Sequence, residues 1–108
     1  MEKDKITEKI HEGWNVEKIQ NNTSDIEALA QLAEEACEVA HAALKLRRVI
    51  DGNNPTPVTH EEALSKLIEE VGDVEACCEV LFDDHIKKEV EKIKLMKLKR
   101  WAERVENR

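Results

Sequence analysis

Apolar residues recur at three- and four-residue spacing over most of the chain, the period of one face of an α-helix, and no stretch alternates as a half-buried strand does. Ser24-Asp25-Ile26-Glu27 has the form of a capping box, and the pattern after it runs to Ile50. Ile26, Leu29, Ala33, Ala36, Cys37, Ala40 and Leu44 form its stripe, expected to pack closely on a neighbouring helix. Asp51-Gly52-Asn53-Asn54-Pro55-Thr56-Pro57 cannot continue a helix and predicts the reversal. Thr59-His60-Glu61-Glu62 is a second capping box, followed by the stripe Leu64, Leu67, Ile68, Val71, Val74, Cys78 and Leu81. Asp83-Asp84 predicts a break, after which Ile86, Val90, Ile93 and Trp101 mark a helix running towards Val105. Residues 3–20 read as a further helix, interrupted by Gly13 and Asn15.

Composition agrees with an all-α protein. Charged residues are 38%, hydrophobic ones 41% and aromatics 3% of 108 residues, with three Gly and two Pro, which is poor material for a β-sandwich or barrel. That length is read as one domain, 1–108. Such helices leave apolar faces that one small chain does not cover, so an antiparallel helical bundle completed by homo-oligomerisation is expected. No stretch approaches the roughly 20 apolar residues of a membrane span, and the start lacks a secretion signal, so a cytoplasmic protein with no membrane partner is expected. Cys37, Cys77 and Cys78 sit within helical patterns, without knuckle spacing, and read as reduced core thiols.

Charge is segregated within the net −7. Residues 1–85 carry net −12 and residues 86–108 net +5. An acidic body repels nucleic-acid backbones, so no nucleic-acid partner is expected. The Lys-rich last segment reads either as a solvated helix face or as a phosphate-binding one.

The chemistry lies in Glu34-Glu35-Ala36-Cys37-Glu38 on one helix and Glu69-Glu70-Val71-Gly72-Asp73 on the next. Glu35 with Glu38, and Glu70 with Asp73, are acid pairs at i and i+3, each projecting from one side of its helix. Both pairs are expected beside the core stripe. Around Val71, Glu70 falls about 100° and Asp73 about 160° from the stripe's centre. Converging carboxylates repel and raise one another's pKa unless a hard cation neutralises them. Mg2+, or Mn2+ in its place, takes oxygen ligands, retains water and is completed by phosphate, which points to a phosphate ester or anhydride as substrate. The competing reading is that acid pairs are common among 24 acids and face solvent. Gly72, a mid-helix glycine between acids, suggests either close backbone approach or helix packing.

At these residues the chain resembles the all-α nucleoside triphosphate pyrophosphohydrolases, the superfamily of MazG-like proteins, dimeric dUTPases and phosphoribosyl-ATP pyrophosphohydrolase. Their E-E-x-x-E and E-x-x-D signature reads here as Glu34-Glu35-x-x-Glu38 and Glu70-x-x-Asp73, over about residues 24–104, and the surrounding residues resemble the MazG-like branch most. The resemblance implies that Glu35, Glu38, Glu70 and Asp73 bind Mg2+, with Glu34 in or near the ligand set and orienting water, so that Glu34, Glu35 and Glu38 carry the catalysis. It implies hydrolysis of a nucleoside triphosphate to monophosphate and pyrophosphate, in a homodimer or homotetramer. Lys97, Arg100 and Arg104, on one helical face, are the residues it implies for phosphate binding. A non-catalytic helical assembly or adaptor protein is the alternative, and phosphoribosyl-ATP the alternative substrate.

Glu38-x-x-His41 resembles half of a di-iron motif, but the following helix offers Asp73 rather than His, so His41 reads as a pocket-wall or surface residue. Trp14 and Trp101 read as core or interface residues, with stacking on a nucleobase as their functional alternative. No Ser-His-Asp or Cys-His set and no phosphate-cradling glycine loop is present.

Overall fold

A computed structural model describes residues 2–52 and 56–108, with side chains from residue 4 onward. It contains four helices: α1 (Glu2–Asn22), α2 (Asp25–Asp51), α3 (His60–Leu81) and α4 (Asp84–Glu106). No strand occurs among the described residues. The expected helix over 3–20 is α1, which runs unbroken through Gly13 and Asn15. A side chain at Gly13 would meet nothing, so its only cost is intrinsic propensity, on the order of 1 kcal/mol.

Local chemistry sets the boundaries. The Ser24 hydroxyl accepts from the Glu27 N–H at 3.1 Å and donates to the Glu27 carboxylate at 3.2 Å. Thr59 does the same with Glu62, at 3.1 and 3.2 Å. Gly52 ends α2 at φ 72°, the left-handed region that favours glycine, and its N–H donates to the Arg48 carbonyl. Asn53, Asn54 and Pro55 of the expected loop lie outside the described residues. The break at Asp83-Asp84 is real: Phe82 is extended, and the Asp83 carboxylate accepts from the Ile86 N–H at 2.9 Å.

α2 and α3 form an antiparallel hairpin, and its seam is not the one the stripes predict. The seam of α2 follows Ala28, Leu32, Glu35, Val39 and Ala42, at alternating four- and three-residue steps. That of α3 follows Ala63, Leu67, Glu70, Val74 and Cys77. These are coiled-coil spacings, and the buried residues among those described are small or acidic: Ala28, Ala42, Ala63 and Glu70. The predicted α2 stripe lies on another face. Ile26, Leu29 and Leu44 are exposed, as are Ala33, Ala36, Cys37 and Ala40. The α3 stripe is divided, with Leu67, Val74, Cys78 and Leu81 half-buried and Leu64, Ile68 and Val71 exposed. The cysteines are free, but they are not core thiols, because Cys37 is exposed and Cys77 and Cys78 are only half-buried.

α1 packs on the C-terminal part of α3, where Gln20 Nε2 donates to the Val80 carbonyl at 2.9 Å. α4 leaves the hairpin after an ion pair between Lys87 and Glu79, and every residue of it apart from Lys87 is exposed. The radius of gyration is 17.6 Å, whereas a compact domain of this length would have about 13 Å. No helix among the described residues is long and apolar enough to cross a membrane.

Candidate metal centre in the hairpin seam

Three carboxylates meet where α2 crosses α3. Glu35, Glu70 and Asp73 each offer an oxygen within 4.8 Å of the other two. Their settings differ in a graded way: Glu70 is buried at 4% exposure, Glu35 is half-buried and Asp73 is open to solvent. Glu35 and Glu70 hold seam positions themselves, rather than flanking the seam as the stripes predicted. Asp73 follows Glu70 by one turn and lines the edge.

Neighbours one turn away fix two of the three. Gln31 Nε2 donates to Glu35 Oε1 at 2.7 Å. Lys66 Nζ lies 2.8 Å from Glu70 Oε1 and 3.6 Å from Glu69 Oε2. Both partners were legible as i, i+4 neighbours of the acids, yet only the acids attract notice when the search is for metal ligands. The electrostatics record the crowding. Burial raises the pKa of Glu35, aided by the charge of Asp73, a hydrogen bond to it and the charge of Glu70, while the Gln31 bond opposes the rise. Burial likewise pushes the Cys77 thiol up, with Glu35, Cys78 and Asp73 adding to the effect. Lys66 is raised by its bond to Glu70 and by the charges of Glu69 and Glu70.

The donor chemistry fits a hard divalent cation. All three groups present oxygen, they come from two helices, one from α2 and two from α3, and the open side at Asp73 leaves room for water or a phosphate. An ion with Mg–O distances of about 2.1 Å spans oxygens up to about 4.2 Å apart, so small side-chain movements would close this cluster around one.

The remaining predicted site residues lie elsewhere. Glu34 and Glu38 are exposed on α2, outside the three-carboxylate group. Lys97, Arg100 and Arg104 are exposed on α4, away from the hairpin of the same chain. His41 is exposed. Trp14 is exposed and stacks on His11 with ring centroids 5.1 Å apart, and Trp101 is exposed, so neither indole is buried within one chain. A side chain at Gly72 would touch nothing, so no close backbone approach occurs there within the chain. Compared with known proteins, the chain matches no family model, no curated protein and no solved structure.

Proposed function

We propose that this chain is a Mg2+-dependent nucleoside triphosphate pyrophosphohydrolase of the MazG-like type, working as a homo-oligomeric helical bundle on the cytoplasmic nucleotide pool. The observation that carries the reading is the meeting of Glu35, Glu70 and Asp73 within 4.8 Å across two helices. Buried and half-buried carboxylates without a cation are costly, and Glu35 and Glu70 occupy seam positions that apolar residues would fill more stably.

Glu35, Glu70 and Asp73 would hold the ion, with Glu38 as a fourth ligand from the open flank of α2. Bound Mg2+, or Mn2+, supplies a more acidic water and neutralises charge on the α-phosphoryl group and the departing pyrophosphate. Gln31 and Lys66 keep Glu35 and Glu70 in place before the ion arrives. Glu34 is assigned to orienting the attacking water. Lys97, Arg100 and Arg104 would bind phosphate oxygens. Water oxygen adds to the α-phosphorus, the α–β bridging bond breaks, and monophosphate and pyrophosphate leave.

The test is pyrophosphate release from a panel of ribo- and deoxynucleoside triphosphates and phosphoribosyl-ATP with Mg2+. Turnover that falls at least about a hundredfold in Glu38→Gln and Asp73→Asn supports the reading. The exposed apolar residues of α2 and α4 favour a second one, a non-catalytic assembly or adaptor protein. Absence of turnover across the panel, with metal affinity unchanged in both variants, would select it.

A further inference from the structure

A cation is built into the acidic flank of the hairpin. With about 100° per residue and antiparallel axes, Glu38 of α2 and Asp73 of α3 fall to one side of the seam, together with Glu34 and Glu69. Lys66 belongs to the same side: it precedes Asp73 by seven residues, which leaves the two about 20° apart around α3. Its ammonium reaches inward to the buried Glu70, with Nζ 2.8 Å from Oε1, and stands 3.6 Å from Glu69 Oε2. Among the described residues it is the one Lys or Arg that forms an ion pair with a carboxylate of the Glu35, Glu70 and Asp73 cluster. An ammonium has three N–H donors. Glu70 takes one and Glu69, at the longer distance, at most a second, so at least one is left on a side chain that is 54% exposed.

We infer that Lys66 is a further substrate-contacting residue of the proposed site, donating its free N–H to a phosphate oxygen of a polyphosphate held at the carboxylate cluster. The inference rests on the proposed metal-dependent reading of that cluster. Charge creates the need for such a contact. Six carboxylates, Glu34, Glu35, Glu38, Glu69, Glu70 and Asp73, occupy the seam and this flank, and one divalent ion cancels two of their charges. A polyphosphate approaching them meets net negative charge, and Lys66 is the fixed cation placed to offset it. Lys97, Arg100 and Arg104 stand on α4, away from the hairpin of the same chain, so they do not supply that charge within one copy. The anchor distinguishes Lys66 from a surface lysine. Lys94 pairs with Glu91 between two exposed side chains, at 57% and 58%. Lys66 is tied instead to Glu70, whose side chain is 6% exposed, so its ammonium is held at the edge of the cluster. Rotatable donors on a compact charge let one lysine serve Glu70 and a phosphate together.

The experiment compares two affinities of the full chain: that for Mn2+ alone, from the electron paramagnetic resonance signal of the free ion, and that for the Mn2+ complex of inorganic tripolyphosphate, from calorimetry. Lys66→Met is expected to weaken binding of the tripolyphosphate complex at least about tenfold, and Lys66→Arg, which keeps the charge, to recover most of that. Mn2+ alone should bind Lys66→Met as tightly as the natural chain or more tightly, because a competing cation has been removed. Tripolyphosphate binding that is unchanged in Lys66→Met overturns the inference. So does a parallel loss of both affinities, which would leave Lys66 as a prop for Glu70 alone. Should Lys66→Met fail to fold, Lys66→Gln, neutral but still able to donate to Glu70, takes its place with the same expectations. Neither arm measures turnover. Normal tripolyphosphate binding by the Lys66 variants would sink this contact and leave the pyrophosphohydrolase reading standing, whereas a natural chain that binds neither Mn2+ nor its tripolyphosphate complex would sink both.

Discussion

Replacing Glu70 by Gln separates the cost of the carboxylate cluster from its use. Glu70 is 4% exposed, and one oxygen lies within 4.8 Å of an Asp73 oxygen. Two unit charges at that separation repel by about 0.9 kcal/mol in water and about 3.5 kcal/mol at an effective dielectric of 20. Asp73 is open to solvent, which places the pair towards the lower figure. Against this stands the Lys66 contact at 2.8 Å, but the Lys66 side chain is 54% exposed, and ion pairs so placed contribute little. Repulsion and desolvation therefore win, and the isosteric, neutral Gln should stabilise the metal-free protein by on the order of 1 kcal/mol, a melting temperature about 4–8 °C higher. If the cluster holds a metal ion as proposed, the order should invert with metal present. An ion at a hundredfold excess over its dissociation constant would stabilise the natural protein by about 2.7 kcal/mol, and the variant should lose most of that. The assay is thermal unfolding by circular dichroism, in chelator and in a Mn2+ or Mg2+ series. A variant that melts lower in chelator would show that Lys66 outweighs the repulsion, and an unchanged metal-induced shift would remove Glu70 from the ligand set.

Other outcomes follow from the same contacts. The folded state holds the Glu35 pKa above its ordinary 4.5, so Glu35 contributes stability below pH 4.5 that is lost as pH rises through the raised value; in chelator, the melting temperature of the natural protein relative to Glu35→Gln should fall across that window, and a flat difference would contradict the crowding. Ser24→Ala and Thr59→Ala each remove a hydroxyl that accepts a first-turn N–H at 3.1 Å and should cost about 1 kcal/mol apiece in urea unfolding. Gly52→Ala forces a side chain into φ 72° and should cost roughly 1 kcal/mol, while Gly72→Ala, where an added side chain meets nothing, should gain up to about 1 kcal/mol from helix propensity. Charge reversal at Lys97, Arg100 and Arg104 should raise KM for a triphosphate more than it lowers kcat, and unchanged kinetics would leave that face to solvent.

Helix boundaries were legible because they depend on chemistry within four residues. Ser24, Thr59, Gly52 and Asp83 act on the chain next to them, so reading them needs no knowledge of the fold. Choosing the packed face was a different problem. α2 carries two candidate faces, and the wider one, from Ile26 to Leu44, outscores the true seam because the seam includes Glu35. The same substitution at Glu70 displaced the reading of α3 towards Val71. A search by apolar periodicity discards a seam at the place where a polar group has been built into it, so the fault in the pattern and the candidate site coincide. Glu35, Glu70 and Asp73 were legible as chemistry, from residue type and spacing, while their burial was not. The placement of α4 was not legible either, because Ile86, Val90, Ile93 and Trp101 mark a face to be packed, whereas every residue of the helix apart from Lys87 is exposed.

That coincidence explains why the hairpin is so lightly buried. In a two-helix seam the interior positions are few, and two of them here are acids while Ala28, Ala42 and Ala63 contribute little apolar area. Substituting Leu at 35 and 70 would increase apolar burial and remove both the desolvation and the repulsion that raise the Glu35 pKa. The chain instead keeps its larger apolar side chains, Ile26, Leu29 and Ile68 among them, on an outer flank where they do nothing for an isolated copy. The proposed homo-oligomer would resolve both features: association across the outer flank would supply stability and leave the inner seam free to hold charge. On that reading Ile68→Glu, which puts a charge on the exposed outer flank, should melt well below the natural protein although its own α2–α3 seam is untouched, and replacing both acids by Leu in that variant should recover much of the loss. If the double replacement gave no recovery, the acids would not be the weak point of the seam, and burial cost would cease to be an argument for a bound cation.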